Sequence, residues 1–312
     1  MMNIALILDA DAPGFHTQAS QINQFLQRSQ LTATSVELWL FSDEVPQTLP
    51  RLGGGVAQIR WASVSRLAEA RIAVLEQMWH AFEPRLMLFA GEEGGEWATR
   101  LAYRCGGSAC CAVEQAQING AECRVTKAAY GNHLAAELAM TQEPWCLSVA
   151  RSGAARVETG PSPVAAQRFE PTSIADTKWL LYSASSPQPA ESSLSRARYV
   201  LAIGEGVGSA RQVANVRQLA ARIGAEVGAS RPVVMNAWCK MDRLLGMSGA
   251  IIAPEVCIAA GVSGAPAFAI GIRHSKLIVA INQDPQAAIF AQADVGIVGD
   301  MHEVLAALAK AL

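Results

Sequence analysis

The sequence predicts an α/β protein of two domains. Short apolar runs of strand length recur along the chain, and segments with apolar residues at helical spacing separate them. The chain has 312 residues, enough for two domains of about 150 residues each. A stretch rich in proline, serine and alanine separates two α/β patterns. We therefore predict an N-terminal α/β sheet domain over residues 1–153, a linker over residues 154–195, and a C-terminal doubly wound parallel-sheet domain over residues 196–312.

Strands and helices alternate along the predicted N-terminal domain. Apolar runs predict the strands, and apolar residues that recur every three or four positions predict the helices. Pro84 ends the second helix, because proline cannot continue a helix. Such alternation is typical of a parallel or mixed sheet. The predicted strands cover residues 4–8, 36–41, 86–90, 109–113 and 145–150, the helices lie near residues 19–26, 65–82 and 96–104, and a polar hairpin-like stretch reaches residue 126.

The C-terminal pattern starts with a strand at residues 199–203. The turn GEGVGS, residues 204–209, leads from this strand into a helix that Gly224 closes. Further apolar runs complete the pattern of a doubly wound domain. They cover residues 225–228, 256–260 and 277–281. Inside the linker, one more strand is expected near residues 179–183.

Composition and charge exclude several classes of protein. The formal net charge is -2, so the basic field that nucleic-acid binding needs is absent. No basic region precedes the first apolar run and Asp9 interrupts that run, so we expect neither a signal peptide nor membrane insertion. The seven cysteines show no CxxC spacing, which favours reduced thiols in the cytoplasm. The five histidines are scattered, and we expect no metal site.

Turns rich in glycine and serine lie among the C-terminal strands. Such turns leave backbone NH groups and hydroxyls accessible, which suits phosphates and flat heterocycles. Ligands of open α/β sheets bind at the carboxyl ends of the strands, where turns of this kind lie. The composition therefore predicts a nucleotide site. The small residues concerned are Gly246, Ser248, Gly249, Gly261, Ser263 and Gly264.

Two features of this region have alternative interpretations. The turn at residues 204–209 follows a strand and precedes a helix, but Ser209 breaks the GxGxxG spacing and no acidic ribose ligand follows at the usual distance. A tight turn with some ligand contact is favoured, and an NAD-dependent dehydrogenase is an alternative. Arg231 could stack on or neutralise a ligand, or form a surface salt bridge, and its position alone does not decide between them.

Five blocks occur in a fixed order within residues 198–312: GASR, LLGMSG, IIAPEVCIAAGVSGA, SKLIVAINQDPQAAIF and ADVGIVGD. Together they resemble the C-terminal half of electron transfer flavoprotein alpha subunits. Several multi-residue blocks in one order are far more specific than a single short motif. The N-terminal half is weakly similar to the same family, through GEEGGEWATRLAYRCGG, AYGNH at residues 129–133 and RSG at residues 151–153.

The resemblance implies a subunit that binds FAD and forms a heterodimer with a beta subunit, which usually holds AMP. Such a carrier takes electrons from a dehydrogenase and passes them to an acceptor such as a quinone oxidoreductase. The matching motifs imply no catalytic residue in this chain. The implied contacts with FAD come from Glu205, Ser230, Arg231, Leu245, Gly246, Met247, Ser248, Ser263, Gly264, Ala265, Pro266, Ala267, Phe268, Asn282, Asp300 and Met301.

The resemblance also assigns regions of the cofactor to these residues. Ser230 and Arg231 would lie beside the flavin and its diphosphate, with residues 245–248 at the isoalloxazine or ribityl region. Residues 263–268 would wrap the cofactor, and Asn282 and Asp300 would hold the adenosine half.

The chain departs from the family pattern at three places. Glu205 stands where the family usually has an arginine, and Met247 and Ser248 stand where it commonly has Gln-Thr. Phe268 replaces the histidine that normally donates a hydrogen bond to the flavin C2 carbonyl. A flavin-less paralogue that serves as a nucleotide-binding or docking subunit is therefore the alternative to an FAD-carrying one.

Overall fold

The chain forms two compact units, Met1–Arg151 with Arg156–Pro189, and Ser152–Ala155 with Ala190–Leu312. The computed structural model describes residues 2–12, 14–29, 31, 33–130, 134–153, 157–162, 164–173, 178–182 and 193–311. The last three residues of the AYGNH block and much of the predicted linker lie outside the described residues. Residues 178–182 form turn and irregular structure, so the strand expected near residues 179–183 is wrong for those positions, and residue 183 lies outside the description.

Over the residues that the structure describes, the first unit is a mixed sheet with three helices. The strands are β1 (Asn3–Asp9), β2 (Ser35–Phe41), β3 (Leu49–Pro50), β4 (Val56–Ala62), β5 (Leu86–Phe89), β6 (Ser108–Asn119), β7 (Glu122–Ala129), β8 (Leu134–Met140), β9 (Trp145–Val149), β10 (Thr159–Gly160) and β11 (Ala166–Arg168), and the helices are α1 (Phe15–Arg28), α2 (Ala68–Phe82) and α3 (Gly94–Cys105). Nine strands form one sheet in the order β11-β4-β2-β1-β5-β9-β6-β7-β8, and β3 pairs with β10. The pairs within the nine-stranded sheet are parallel from β11 to β6, and β6-β7-β8 are antiparallel.

The predicted strands and helices of the first unit are present, and the hairpin-like stretch is the β6–β7 pair. The strands that the sequence did not predict lie toward the edges of the sheet. In β8 nearly every residue is exposed or half-buried, and in β4 only two residues are fully buried. A strand that buries little side-chain surface shows no apolar run, so periodicity does not reveal it.

Both faces of the first sheet are covered by helices. Ile4 and Leu6 of β1 pack into an apolar cluster that contains residues of α1. Ala5 and Ile7 point to the other face, into a cluster with residues of α2 and α3. Because successive side chains of a strand point to opposite faces, the continuous apolar run of β1 follows from burial on both sides.

A buried ion pair joins the end of β1 to α2. Arg71 is only 1% exposed, and its Nη1 lies 2.6 Å from Asp9 Oδ2. Glu93 is a more distant partner at 3.6 Å, and the pKa of its carboxyl is raised chiefly by desolvation. The Arg71 guanidinium carbon lies over the rings of Phe41 and Trp97, 5.0 and 5.1 Å from their centroids. The folded state tolerates a charge buried as deeply as that of Arg71 only when an opposite charge lies beside it.

The second unit is a parallel sheet, as predicted, and its described residues form five strands, of which the strand at residues 295–298 was not predicted. Its strands are β12 (Tyr199–Ile203), β13 (Glu226–Ala229), β14 (Val256–Ala260), β15 (Leu277–Asn282) and β16 (Val295–Val298), and its helices are α4 (Ser193–Arg196), α5 (Ala210–Arg222), α6 (Arg231–Met235), α7 (Pro266–Ile272) and α8 (Met301–Ala311). The order is β13-β12-β14-β15-β16, with every pair parallel. Leu201 and Ile203 pack with residues of α5 and α8, and Val200 and Ala202 pack with residues of α4 and α7. Helices on both faces confirm the doubly wound architecture.

The buried ion pair gives a stability prediction for the first unit. Asp9→Leu should lower the free energy of unfolding by about 3 to 5 kcal/mol, because it leaves the charge of Arg71 buried without its near partner. Adding Arg71→Met to Asp9→Leu should recover much of the loss. Urea unfolding followed by tryptophan fluorescence measures both effects.

A matched control is Glu76→Gln, which breaks the ion pair of Glu76 with Arg104, a pair with a 2.8 Å separation that is partly exposed. The expected loss for this control is below about 1 kcal/mol. Equal losses for Asp9→Leu and Glu76→Gln would show that the burial of Arg71 carries no special cost.

Candidate functional site

A cleft of about 710 Å³ lies at the carboxyl edge of the second sheet. The chain passes from β12 outward to β13 and then returns to β14 on the other side of β12, so the two directions diverge beside β12. Ligands of doubly wound folds bind at such a switch point. The cleft is lined by residues that follow β12, β13, β14 and β15.

The structure brings most of the implied FAD contacts together in this cleft. The implied residues that line it are Glu205, Ser230, Arg231, Leu245, Met247, Ser248, Ser263, Gly264, Ala265, Ala267, Phe268 and Asn282. Gly246, Pro266, Asp300 and Met301 are not among its lining residues. The lining residues that were not among the implied contacts are Gly206, Pro232, Leu244, Gly261, Val262, Asp284, Gln286, Ala287 and Ala288.

The turn after β12 packs directly on the turn after β14. The Gly206 NH donates to the Gly261 carbonyl at 3.1 Å, and a Cβ added to Gly204 would lie 2.0 Å from the same oxygen. Glycine is therefore needed at position 204 so that two backbones can approach. Gly261, one of the glycines interpreted from the sequence as an opening for a ligand, lines the cleft, but a Cβ on it would lie 2.6 Å from the sulfur of Met301. Packing against the protein is therefore a second reason for glycine at position 261.

The same reason applies to Gly264. Its φ is +87°, and a Cβ there would meet the backbone nitrogen of Ile289 at 2.2 Å. That nitrogen donates to the Ser263 carbonyl at 3.1 Å, and the side-chain amide of Gln292 donates to the Gly264 carbonyl at 3.0 Å. Residues 288–292 thus hold the 263–268 loop on the side where a Cβ of Gly264 would point.

The end of β13 supplies the cation of the cleft. Arg231 is exposed and, among the described residues, has no ion-pair partner. The adjacent Ser230 is buried, and its Oγ has no hydrogen-bond partner in the part of the chain that the structure describes. The other ionisable side chains in the lining are Glu205 and Asp284. A guanidinium without a counter-charge beside an unsatisfied hydroxyl suits an anionic, oxygen-rich ligand.

Asp284 and Gln286 reach the cleft from the loop after β15. The Asn282 side chain organises this loop, since it donates to the Val262 carbonyl at 2.8 Å and accepts from the Asp284 NH at 2.9 Å. The Gln286 NH donates in turn to the Asp284 carboxylate at 2.9 Å. The signal that could have found both residues is their place directly after a strand of the parallel sheet.

Asp300 and Met301 support the cleft from outside it. The Asp300 Oδ1 accepts from the NH groups of His302 and Glu303, so Asp300 caps α8. These bonds, the one to Glu303 first, lower the pKa of the Asp300 carboxyl. Met301 is buried, and its sulfur lies 2.6 Å from where a Gly261 Cβ would be. In this structure Asp300 caps α8, and Met301 packs the start of α8 against the turn after β14.

The described residues form neither a metal-binding cluster nor a membrane-spanning helix. Within these residues, no group of three or more His, Cys, Asp or Glu side chains could hold a metal ion. The described helices include none with the length and apolar character to cross a membrane. The cysteines are free thiols, and burial raises the pKa of Cys105, Cys123 and Cys257 to about 12.

Comparison with known proteins gives the family. Residues 193–273 match the model of the electron transfer flavoprotein FAD-binding domain. YgcQ of Escherichia coli strain K12, named as a candidate electron transfer flavoprotein subunit, is 40% identical over 244 residues, which cover 78% of this chain and 83% of YgcQ. Protein FixB of Azorhizobium caulinodans is 47% identical over 122 residues, 39% of this chain and 33% of FixB. FixB of Escherichia coli O9:H4 is 43% identical over 120 residues, 38% of each chain. With a domain model matched in the second unit and a relative matched along most of both chains, the protein belongs to the electron transfer flavoprotein alpha subunit family.

Proposed function

We propose that this chain is the FAD-binding alpha subunit of a heterodimeric electron carrier. The observation that carries the proposal is the cleft at the switch point of the second sheet, which is built largely from residues inside the matched FAD-binding segment. Its volume of about 710 Å³ lies in the range of cofactor sites. The free guanidinium of Arg231 and the unsatisfied Ser230 hydroxyl fit a diphosphate.

The chain's own residues bind and orient the cofactor. Bound FAD supplies the redox chemistry, taking up electrons from one partner and releasing them to another. Arg231 and Ser230 hold the diphosphate, and residues 263–268 wrap the cofactor on a loop fixed by hydrogen bonds from residues 288–292. Residues 282–286 lie where their carboxylate and amide groups would hold the adenosine half by hydrogen bonds.

Apolar side chains form another wall of the cleft. Leu244, Leu245 and Val262 are buried lining residues, and Phe268 lines the cleft while it packs into the core beneath α7. This wall would exclude water from one face of the flat flavin ring, and the polar lining residues would contact the edge of that ring. Phe268 contributes no hydrogen-bond donor there.

The alternatives receive less support from the geometry. An NAD-dependent dehydrogenase of this fold needs an acidic ribose ligand at the end of the second strand, where this chain has Ser230 and Arg231. A flavin-less paralogue is favoured by Glu205, a carboxylate in the cleft close to the proposed diphosphate. The unpaired Arg231 favours the FAD-binding form.

The partners follow from the family. A beta subunit would complete the carrier and hold AMP, with a dehydrogenase as donor and a quinone oxidoreductase as an acceptor. The first unit offers a surface for the beta subunit, since Leu134 and Leu138 of the edge strand β8 are exposed. The buried, free thiols are consistent with a reducing cytoplasm as the place of action.

The first test is purification of the chain with and without the beta subunit encoded beside it. We expect a one-to-one heterodimer with one FAD for each copy of this chain, measured by mass and by visible absorbance. A heterodimer without flavin would leave the flavin-less paralogue as the better account. A monomer that holds a full complement of FAD without a partner would contradict the heterodimer.

Replacement of Arg231 tests whether its positive charge stabilises bound FAD. Arg231→Ala should weaken FAD binding by about 1 to 3 kcal/mol or lower the flavin reduction potential, because a fixed positive charge favours the diphosphate and the reduced flavin. Fluorescence titration and a redox titration measure the two quantities. Arg211→Ala is the control, since Arg211 is an exposed arginine of α5 outside the cleft. Equal behaviour of the two variants would place Arg231 away from the cofactor.

Replacement of Phe268 tests the departure from the family. Phe268→His should raise the flavin reduction potential, because an imidazole NH donated to the flavin stabilises the charge of the reduced ring by about 1 kcal/mol. Phe268→Leu keeps an apolar side chain and should leave the potential unchanged. If both variants retain full FAD and share the native potential, position 268 does not face the flavin.

A further inference from the structure

An ion pair joins two walls of the cleft at a point outside it. Arg243 Nη1 lies 2.6 Å from Glu226 Oε2. Glu226 is the first residue of β13, whose far end leads into Ser230 and Arg231. Arg243 directly precedes the segment 244–248, which supplies four lining residues of the cleft. Neither Arg243 nor Glu226 is itself a lining residue.

The segment after Arg243 is attached to β13 at two further points. The Leu245 NH donates to the Ala229 carbonyl at 2.9 Å, where Leu244 and Ala229 form an isolated parallel bridge. The Leu245 side chain lies over Gly228, so a Cβ on Gly228 would be 2.5 Å from Leu245 Cδ1. Both contacts are close to the carboxyl end of β13. The ion pair is the attachment at the amino end.

The ion pair is held in one arrangement by its neighbours. The hydroxyl of Ser193 donates to the same oxygen of Glu226 at 2.9 Å, and Asp242 lies 4.0 Å from Arg243 Nε. The hydrogen bond from Arg243 is the main reason that the pKa of the Glu226 carboxyl is lowered. The side chains are 29% and 42% exposed, so solvent weakens the pair without removing it.

We propose that Arg243 and Glu226 are positioning residues for FAD, which set the spacing between the end of β13 and the segment 244–248. This inference rests on the proposed function. Among the described contacts, loss of the ion pair leaves the segment attached to β13 only near the carboxyl end of that strand, at Leu244 and Leu245. The segment stays tied to Ala267, whose carbonyl accepts from the Met247 NH at 2.7 Å, and it can shift together with that wall relative to β13. The wall that carries Met247 and Ser248 then moves relative to Ser230 and Arg231, and a rigid ligand that contacts both walls is held less well.

A double-mutant cycle on the full chain, co-expressed with the beta subunit, tests the inference. Arg243→Met and Glu226→Gln should each raise the dissociation constant for FAD about two- to five-fold, the range that a partly exposed ion pair allows. The double variant should bind FAD no more weakly than either single variant, because one interaction has been removed. The exchanged pair, Glu226→Arg with Arg243→Glu, should recover most of the affinity. The probe is FAD itself, followed by flavin fluorescence and by the dissociation rate.

Arg198→Met is the matched control. Arg198 and Glu255 form an ion pair of the same 2.6 Å separation in the same unit, at the amino ends of β12 and β14 and away from the cleft. This variant should bind FAD with the native dissociation constant, although it too removes an ion pair of the second unit. A purely stabilising role for Arg243 would make the two arginine variants alike in both measurements.

The outcomes separate the inference from the proposed function. If the native chain, alone and with the beta subunit, takes up no FAD, the proposed function fails and the inference fails with it. If the native chain binds FAD and Arg243→Met, Glu226→Gln and the exchanged pair all bind it equally well, the inference fails alone. Additive losses in the double variant would also overturn it, because additive residues do not act as a pair.

Discussion

The cleft of the second unit depends on the close approach of two backbone turns. The turn after β12 and the turn after β14 touch at Gly204, Gly206 and Gly261, where a Cβ on Gly204 would lie 2.0 Å from a carbonyl oxygen. Any larger residue at position 204 would separate these turns at the switch point of the sheet. Because Met301 packs against the same turn, the start of α8 depends on that approach as well. The position of the site is therefore set by backbone packing, and side chains then determine its chemistry.

The two units differ at the sheet edge where the chain changes direction beside a central strand. In the first unit the chain also reverses direction beside β1, between β2 and β5, but there the carboxyl edge of β1 is filled by the protein's own charges. Arg71, Asp9 and the Gln18 side chain, which accepts from the Asp9 NH at 2.9 Å, occupy that edge. In the second unit the corresponding edge is an open cleft. One fold class thus provides a stabilising core in one unit and a candidate ligand site in the other.

The charge of the cleft is one feature in which this chain departs from its family pattern. The lining contains two carboxylates, Glu205 and Asp284, and one cation, Arg231, so it carries more negative than positive charge. A diphosphate in such a cleft relies on Arg231 and on neutral donors such as Ser230 for its binding. Together with the apolar Phe268, this balance predicts a flavin environment with fewer positive and hydrogen-bonding groups than the family norm.

The sequence alone determined the elements that bury continuous apolar runs, such as β1, β5 and β12, because burial on both faces leaves a local signal. It also determined the family, through blocks at the strand ends. The half-exposed strands β4 and β8 were not predictable, since their stability comes from pairing with other strands rather than from an apolar run.

Only the tertiary structure decided the role of each residue near the cleft. Asp300 and Asp284 both follow strands of one parallel sheet, yet Asp300 caps α8 and Asp284 lines the cleft. Gly261 and Gly264 line the cleft, yet the side on which each lacks a Cβ is filled by the protein. Arg243 and Glu226 gave no sequence signal, because 17 positions separate them. Such roles depend on which distant atoms meet in three dimensions, and local sequence patterns do not contain that information.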